Sequence, residues 1–101
     1  MRVFVAESER YRGKPAYASI VDALRSEGFS GAIVLKAIEG FGTHRHLRSA
    51  RVVDVSPALP IVVEVVEDQA KIEAFLPTLR EMLHEGLVTL ERLRLIQVTR
   101  D

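Results

Sequence analysis

Apolar positions along this chain recur with two different periods, and the two periods alternate from segment to segment. Short runs of β-branched and aromatic residues predict strands, whereas apolar residues three and four positions apart predict helices. The predicted strands are Arg2–Ala6, Gly31–Gly40, Pro60–Glu67 and Arg92–Thr99, and the predicted helices run from about Pro15 to Glu27 and from Asp68 to Gly86. The order β-α-β-β-α-β predicts one α+β domain over residues 1–101 with a ferredoxin-like fold, in which two helices cover one face of a four-stranded antiparallel sheet.

Proline and glycine mark the ends of both predicted helices. Pro15 suits a first helical position, where its missing N–H has no partner to lose, and Gly28 suits a C-terminal cap. Asp68 is the predicted N-cap of the second helix. Pro77 lies inside that helix, where a proline costs about 3 kcal/mol and is expected to kink the helix.

The second and third predicted strands are apolar on both faces. Leu35 alternates with Val34, and Val63 alternates with Val62, with Glu64 as the polar exception. Two helices can cover only one face of a sheet, and a solvated face normally carries polar residues. The pattern therefore predicts an oligomer in which another chain covers the second face. The competing interpretation is that β-branched residues favour strands even where they are exposed.

The charge balance narrows the classes of partner. Fourteen basic and fourteen acidic residues give a net charge of zero, which argues against a nucleic-acid binder or a protein held on anionic membranes. The absence of cysteine excludes disulfides, thiolate zinc sites and cysteine nucleophiles, and it suits a reducing cytoplasm. No apolar run matches a signal peptide or a membrane span. We expect a cytoplasmic protein that is not inserted into a membrane.

The residue pattern contains no motif that predicts catalysis or metal binding. The serines lie in no nucleophile-elbow or triad signature, and no carboxylate pair is spaced as a general acid and base, so no enzyme activity is expected. His44 and His46 would need at least one further ligand to hold a transition metal, and the three nearby arginines would oppose a cation. No metal site is predicted.

The segment from Gly40 to Arg51 carries a stronger signal. Gly40 and Gly42 flank Phe41 at a strand end, and glycines tolerate the backbone conformations that form an anion-binding nest of N–H groups. Further phosphate contacts would come from three arginines, Arg45, Arg48 and Arg51. The alternative is a glycine turn followed by a solvated loop. The connection over residues 43–59, with a short strand predicted at Arg51–Val55, is of a length that is usually functional.

Four stretches together resemble the PII signal-transduction proteins and, more closely, the PII-like family catalogued as domain of unknown function 190. They are VFVAESERYRGKPAYASIV, GFSGAIVLKAIEGFG, LPIVVEVVED and FLPTLREMLHEGLVTLERLRLI. As in PII proteins, a Gly-x-x-Gly turn leads through an apolar strand into Gly-Phe-Gly and a long loop. The resemblance covers nearly the whole chain. It implies a homotrimer that binds adenine nucleotides in clefts between subunits and reports the bound ligand to a partner protein through the loop.

The resemblance also implies a site, residue by residue. Residues 40–42 match the segment that lines the nucleotide cleft, and Gly31 and Ala32 match the turn that meets the base from the neighbouring subunit. Thr43 and His44 stand in the cleft where PII proteins have an arginine and a metal-coordinating glutamine, so they depart from the pattern.

A second departure follows Gly86, where GLVTLER replaces the Gly-Asp-Gly-Lys element with which PII proteins clamp the phosphates. The loss of those donors indicates AMP, ADP or a cyclic nucleotide rather than ATP. Arg10 and Lys14 are the candidate replacements for phosphate contacts, with stabilisation of a subunit interface as the alternative.

Two functions remain open on the sequence. In the first, an adenine nucleotide biases the loop over residues 43–59, and the loop gates a partner protein such as a membrane transporter. In the second, the chain is a trimeric structural or protein-interaction module whose cleft is vestigial and empty.

Overall fold

The computed structural model describes residues 1–40, 48–49 and 60–100, and at 39–40 and 48–49 it describes the backbone alone. The strands are β1 (Arg2–Ala6), β2 (Arg10–Tyr11), β3 (Lys14–Pro15), β4 (Ile33–Lys36), β5 (Glu39–Gly40), β6 (Arg48–Ser49), β7 (Pro60–Glu64) and β8 (Leu87–Thr89). The helices are α1 (Ala16–Ser26) and α2 (Gln69–Met82). Strands β4, β7, β1 and β8 form one antiparallel sheet in that order. This arrangement confirms the predicted α+β, ferredoxin-like fold.

Helix α1 begins and ends within one residue of the predicted positions. Its buried stripe recurs every four residues and is at most 1% exposed: Ala16, Ile20 and Leu24. Gly28, predicted as the C-terminal cap, has a φ of 79° and donates its N–H to the carbonyl of Arg25 at 3.1 Å. The next amide, of Phe29, donates to Leu24 at 3.0 Å. This pair of bonds is a Schellman termination, which requires the left-handed conformation that glycine adopts without strain.

Helix α2 buries a corresponding stripe of Ile72, Phe75 and Leu79. Asp68 is its N-cap as predicted, although its side chain makes no capping hydrogen bond. The helix continues through Pro77 and ends at Met82, four residues before the predicted end at Gly86. It ends there because Leu83 is extended, and the two amides that follow donate to the carboxylate of Glu9 instead of to helical carbonyls.

The core lies between the two helices and one face of the sheet. The sheet contributes side chains that are at most 3% exposed: Val3, Val5, Ile61, Val63 and Val65. Phe29 meets Phe75 edge to face, with ring centroids 5.4 Å apart and ring planes at 65°. Such a pair stabilises the fold by about 0.5–1.5 kcal/mol beyond the burial of the two rings.

The other face of the sheet is open in the single chain. The strand registers place Leu35 opposite Val62, Val62 opposite Phe4, and Phe4 opposite Leu87. These four residues, which we call the apolar row, cross all four strands on the face away from the helices. On the same face, two residues further along each strand, Arg2 and Glu64 form a salt bridge of 2.8 Å, and Ile33 lies opposite Glu64.

The prediction of a strand at Arg92–Thr99 is wrong. The fourth strand of the sheet is β8, which pairs Leu87 with Phe4 and Thr89 with Arg2. Thr89, the last residue of β8, already lies opposite Arg2, the first residue of β1. Residues 90–100, which we call the arm, have strand-like composition but form no strand pairing within one chain.

β1 has the predicted bounds, Arg2–Ala6, and the second and third predicted strands are present but shorter than expected. β7 ends at Glu64 rather than Glu67, and the strand predicted at Gly31–Gly40 is reduced to β4 followed by the two-residue β5. A short strand in the long connection does form, at Arg48–Ser49, where it pairs with β5. The strand predicted at Arg51–Val55 lies outside the described residues.

Candidate functional site

Three strand ends meet at one end of the sheet, which we call the loop end because residues 41–59 leave and return there. Ala6 lies opposite Pro60, and Lys36 lies opposite Ile61. The amide of Ala37 donates to the carbonyl of Pro60 at 2.9 Å, which extends the pairing one residue past β4. The sheet thus holds both roots of the long connection side by side.

One ion pair crosses the loop end. Lys36, the last residue of β4, places its Nζ 3.0 Å from a carboxylate oxygen of Glu7, the residue that follows β1. The Lys36 side chain is 45% exposed, so the pair contributes no more than about 1 kcal/mol. The pair links the ends of β4 and β1, which lie on either side of β7 in the sheet.

A tight hairpin, formed by β2 and β3, follows at the loop end. Arg12 has a φ of 51° and Gly13 a φ of 81°, and two consecutive positive values define a type I′ turn. The turn twists with the strands, and the guanidinium of Arg12 lies 5.0 Å from the ring centroid of Tyr11. The hairpin thereby presents three exposed cationic side chains, those of Arg10, Arg12 and Lys14.

The two predicted phosphate contacts, Arg10 and Lys14, both lie on this hairpin but do not converge. Lys14 pairs with Tyr11, and Arg10 pairs with Pro15. Paired residues of an antiparallel ladder share a face and successive residues alternate. Lys14 and Arg10 are therefore on opposite faces of the hairpin.

Glu9 ties the base of the hairpin to the rest of the fold. One oxygen of its carboxylate accepts hydrogen bonds from the backbone N–H groups of His84, at 2.8 Å, and Glu85, at 3.0 Å. Its own carbonyl accepts from the N–H of Ala16 at 2.8 Å. This role has no local signal in the sequence, because Glu9 is one of two acidic residues before Arg10 and its partners are 75 and 76 positions away.

Gly31 and Ala32 lie at the opposite end of the sheet, immediately before β4. We call this the turn end. The turn that carries them is held to α2 at two points. Lys71 donates to the carbonyl of Gly28 at 2.6 Å, and Glu67 accepts from the N–H of Ser30 at 3.3 Å.

Glu67 is itself an anchored carboxylate. The backbone N–H of Asp68 and then that of Ser30 donate to it, and these bonds hold the pKa of Glu67 below its ordinary value of 4.5. Hydrogen bonds to a charged carboxylate favour the charged form. The charge of Glu67 therefore stabilises the turn that presents Gly31.

Within one chain, the predicted cleft residues are consequently divided between two ends of the sheet. Gly31 precedes β4 and Gly40 follows it. A strand advances about 3.3 Å per residue, so β4 alone separates the two ends by about 10 Å. One chain therefore presents Gly31 and Gly40 at opposite ends of the sheet.

The remaining predicted site residues fall in the long connection. Phe41, Gly42, Thr43 and His44 lie outside the described residues, as do Arg45, His46 and Arg51. The backbone of Arg48 is described, and it pairs with Gly40 in the β5–β6 ladder. Across residues 1–40 and 60–100, no three histidine, aspartate or glutamate side chains are grouped as a metal site.

A groove of about 710 Å³ lies at the turn end between the arm and the start of α2. Met1, Val65 and Leu93 contribute to its walls. It was not predicted from the sequence. Four carboxylates line it, against the single side-chain cation of Arg92: Glu67, Asp68, Glu73 and Glu91. This charge does not suit a phosphate group.

The chain can now be compared with known proteins. The model of the family named domain of unknown function 190 (DUF190), described as an uncharacterized ACR, matches residues 1–95. The chain belongs to this family. The match covers both ends of the sheet and both helices, so the DUF190 family shares the framework that carries the two halves of the candidate site.

Relatives from distant organisms align with most of the chain. A UPF0166 protein of Aquifex aeolicus is 34% identical over 96 residues, which is 95% of this chain and 90% of the relative. A UPF0166 protein of Methanocaldococcus jannaschii is 32% identical over 89 residues, covering 87% of this chain and 82% of the relative. In this DUF190 chain, no helix among the described residues has the length and apolarity needed to cross a bilayer.

Proposed function

We propose that this DUF190 protein is a PII-like regulatory protein of the cytoplasm that acts by binding rather than by catalysis. It forms a homotrimer and binds an adenine nucleotide, AMP or ADP rather than ATP, in the clefts between subunits. The loop over residues 43–59 then signals to a partner protein, for which a membrane transporter is one candidate. The observation that carries the proposal is the division of Gly31 and Gly40 between opposite ends of the sheet.

The open face of the sheet supports the assembly. The apolar row leaves Leu35 50% exposed and Leu87 58% exposed in the single chain. Burial of apolar surface stabilises an interface by about 25 cal/mol per Å². A second copy of the chain is the partner that we expect on this face, because every copy exposes the same apolar row.

The arm supports a cyclic assembly. Its large apolar side chains are 54–77% exposed: Leu90, Leu93, Leu95, Ile96 and Val98. Strand β4 is the other edge of the sheet, and all four of its residues are exposed. In the proposed assembly, the arm of one copy packs against the β4 edge of the next, so the contact joins two different surfaces. Such head-to-tail contacts generate closed rings when the rotation allows, and three copies are the number that the resemblance implies.

The α2–β8 connection supports a ligand with a short phosphate chain. β8 begins at Leu87, directly after Gly86, so no glycine-rich loop is left to wrap a triphosphate. A Cβ at Gly86 would lie 3.1 Å from the carbonyl oxygen of Phe4, which indicates how closely this turn packs on β1. Cationic contacts are instead available on the hairpin at the loop end.

The long connection supports signalling because both its roots are fixed. β5 and β6 pair at the base of the loop, and the Glu7–Lys36 ion pair links the ends of β1 and β4 on either side of β7. A ligand against Gly40 would therefore act on a loop with a rigid base. It shifts the loop between states only to the extent that it binds one state more tightly than the other.

The test is isothermal titration calorimetry with AMP, ADP, ATP and cyclic AMP. We expect AMP or ADP to bind more tightly than ATP, and a ligand at 100 times its Kd to stabilise the fold by about 2.7 kcal/mol in a thermal-shift measurement. The variant Lys14→Glu should weaken AMP and leave adenosine unchanged. If all four nucleotides have a Kd above about 1 mM, the proposal is wrong.

A structural or protein-interaction trimer with a vestigial cleft is the second candidate. It is favoured by the α2–β8 turn, where two backbone N–H groups donate to Glu9 and are not available to a phosphate. Under this account, charge reversal at Arg45 and Arg48 would weaken capture of the partner to the same degree with and without nucleotide. Under the regulatory account, the loss would depend on nucleotide.

A further inference from the structure

Glu9 joins two parts of the chain that are far apart in sequence. On one side, its carboxylate receives the N–H groups of His84 and Glu85, which belong to the turn between α2 and β8. On the other side, its carbonyl receives the N–H of Ala16 and so closes the base of the β2–β3 hairpin. One residue thus connects the hairpin to the turn through a side-chain contact and a backbone contact.

The side-chain contact is a strong one. Two successive N–H groups donate to the same carboxylate oxygen, at 2.8 and 3.0 Å. Hydrogen bonds to an ionised acceptor are about twice as strong as those between neutral groups. Glu9 is half-buried, which limits competition from water for the same donors.

The hairpin has only a short ladder of its own. Its two strands have two residues each, and an isolated two-stranded hairpin is marginally stable in water. Its turn residues Arg12 and Gly13 are exposed, whereas Tyr11 packs against the core and β3 leads directly into α1. Glu9 adds an attachment at the base, which ties the hairpin to the α2–β8 turn.

We propose that Glu9 is a positioning residue that fixes the hairpin of Arg10 and Lys14 against the α2–β8 turn. Through this contact it sets where the cationic side chains stand at the loop end of the sheet. The inference rests on the proposed function for the identity of the ligand, since it assigns to Glu9 the placement of groups that contact a nucleotide phosphate. The contact of Glu9 with the α2–β8 turn does not depend on the identity of the ligand.

The first test compares amide hydrogen exchange in the wild type, Glu9→Ala and Glu9→Gln. Both variants remove the same charge, but glutamine keeps an acceptor oxygen at the same distance from the backbone. We expect Glu9→Ala to accelerate exchange of the His84, Glu85 and Ala16 amides by at least about tenfold, and Glu9→Gln by less than about threefold. Equal exchange in the wild type and Glu9→Ala would overturn the inference.

The second test measures the affinities of AMP and adenosine for the same three proteins by calorimetry. Glu9→Ala should bind AMP at least about fivefold more weakly than Glu9→Gln, with adenosine the same for both, because only AMP carries a phosphate. Faster exchange combined with equal AMP affinity for the two variants would overturn the positioning role. If the wild type binds no nucleotide, the proposed function fails, and the exchange result still decides whether Glu9 fixes the hairpin.

Discussion

Leu35 lies directly opposite Val62 in the β4–β7 ladder, and both side chains are on the face of the sheet away from the helices. The register continues the contact to Phe4 and Leu87, so one apolar row spans the sheet from edge to edge. An exposed apolar row of this kind marks a site for contact with another surface.

A charge placed in the apolar row should therefore disrupt the oligomer and leave the subunit folded. We expect Leu35→Glu to shift the protein to monomer in analytical ultracentrifugation, because the carboxylate would be buried without a partner at the interface. Its circular dichroism should match that of the wild type, since Leu35 is not part of the core. Ala70→Glu, on the exposed surface of α2, is the matched control and should keep the wild-type mass. An unchanged mass for Leu35→Glu would contradict the proposed cover.

Removal of the arm should weaken assembly more than it weakens the subunit. A chain that ends at Leu90 keeps β8 and the whole described core, while it loses exposed apolar side chains that contact little in the single chain. We expect its oligomer to dissociate at concentrations where the wild type remains assembled, as measured by light scattering after size exclusion. Identical masses of the wild type and the shortened chain over the same concentration series would contradict a role of the arm in assembly.

Phe75 should dominate the stability of the helix layer. It is 2% exposed and meets Phe29 edge to face, so Phe75→Ala should lower the free energy of unfolding by about 3–5 kcal/mol through lost burial and the cavity left behind. Phe75→Leu should cost less than half of that. The free energies of unfolding are measured by urea denaturation of two monomeric proteins, the single variant Leu35→Glu and the double variant Leu35→Glu/Phe75→Ala. Their difference gives the effect of Phe75→Ala without a contribution from assembly. A loss below about 1 kcal/mol would mean that the site is not packed as described.

The anchored carboxylate of Glu67 predicts a dependence of stability on pH. Its pKa in the folded state is lowered, first by the Asp68 N–H and then by the Ser30 N–H. The unfolded chain therefore binds the proton more readily, and the stabilisation is present above pH 4.5 and is lost as the pH falls through the folded value. Glu67→Gln should unfold with a weaker dependence on pH between neutral and acidic solution. The same slope in both proteins would remove Glu67 as a source of acid sensitivity.

The sequence predicted most of the framework because its signals are local. Pro15, Gly28 and Asp68 mark helix ends through backbone geometry, which depends on only a few neighbouring residues. The β-branched run of β7 likewise predicts the strand, although both of its faces are apolar and do not distinguish the face that meets the helices.

What the sequence could not predict depends on contacts between distant segments. The β-rich composition of the arm predicted a strand, but strand formation requires a neighbouring strand, and the pairing of β8 with β1 ends at Thr89 and Arg2. The end of α2 at Met82 and the hairpin anchor both follow from Glu9, whose partners lie 75 and 76 positions away.

The central claim, that the nucleotide cleft is shared between subunits, is tested most directly by mixing two defective variants. The first is Gly31→Leu. A Cβ at this position would have no heavy atom within 4 Å, so the subunit should still fold. The second carries Arg10→Glu and Lys14→Glu on the exposed hairpin. Each variant alone should form a trimer that binds no AMP. In trimers assembled at random from equal amounts of both, about one quarter of the clefts should combine two intact halves and recover AMP binding. No recovery in trimers that are shown to be mixed would contradict the account.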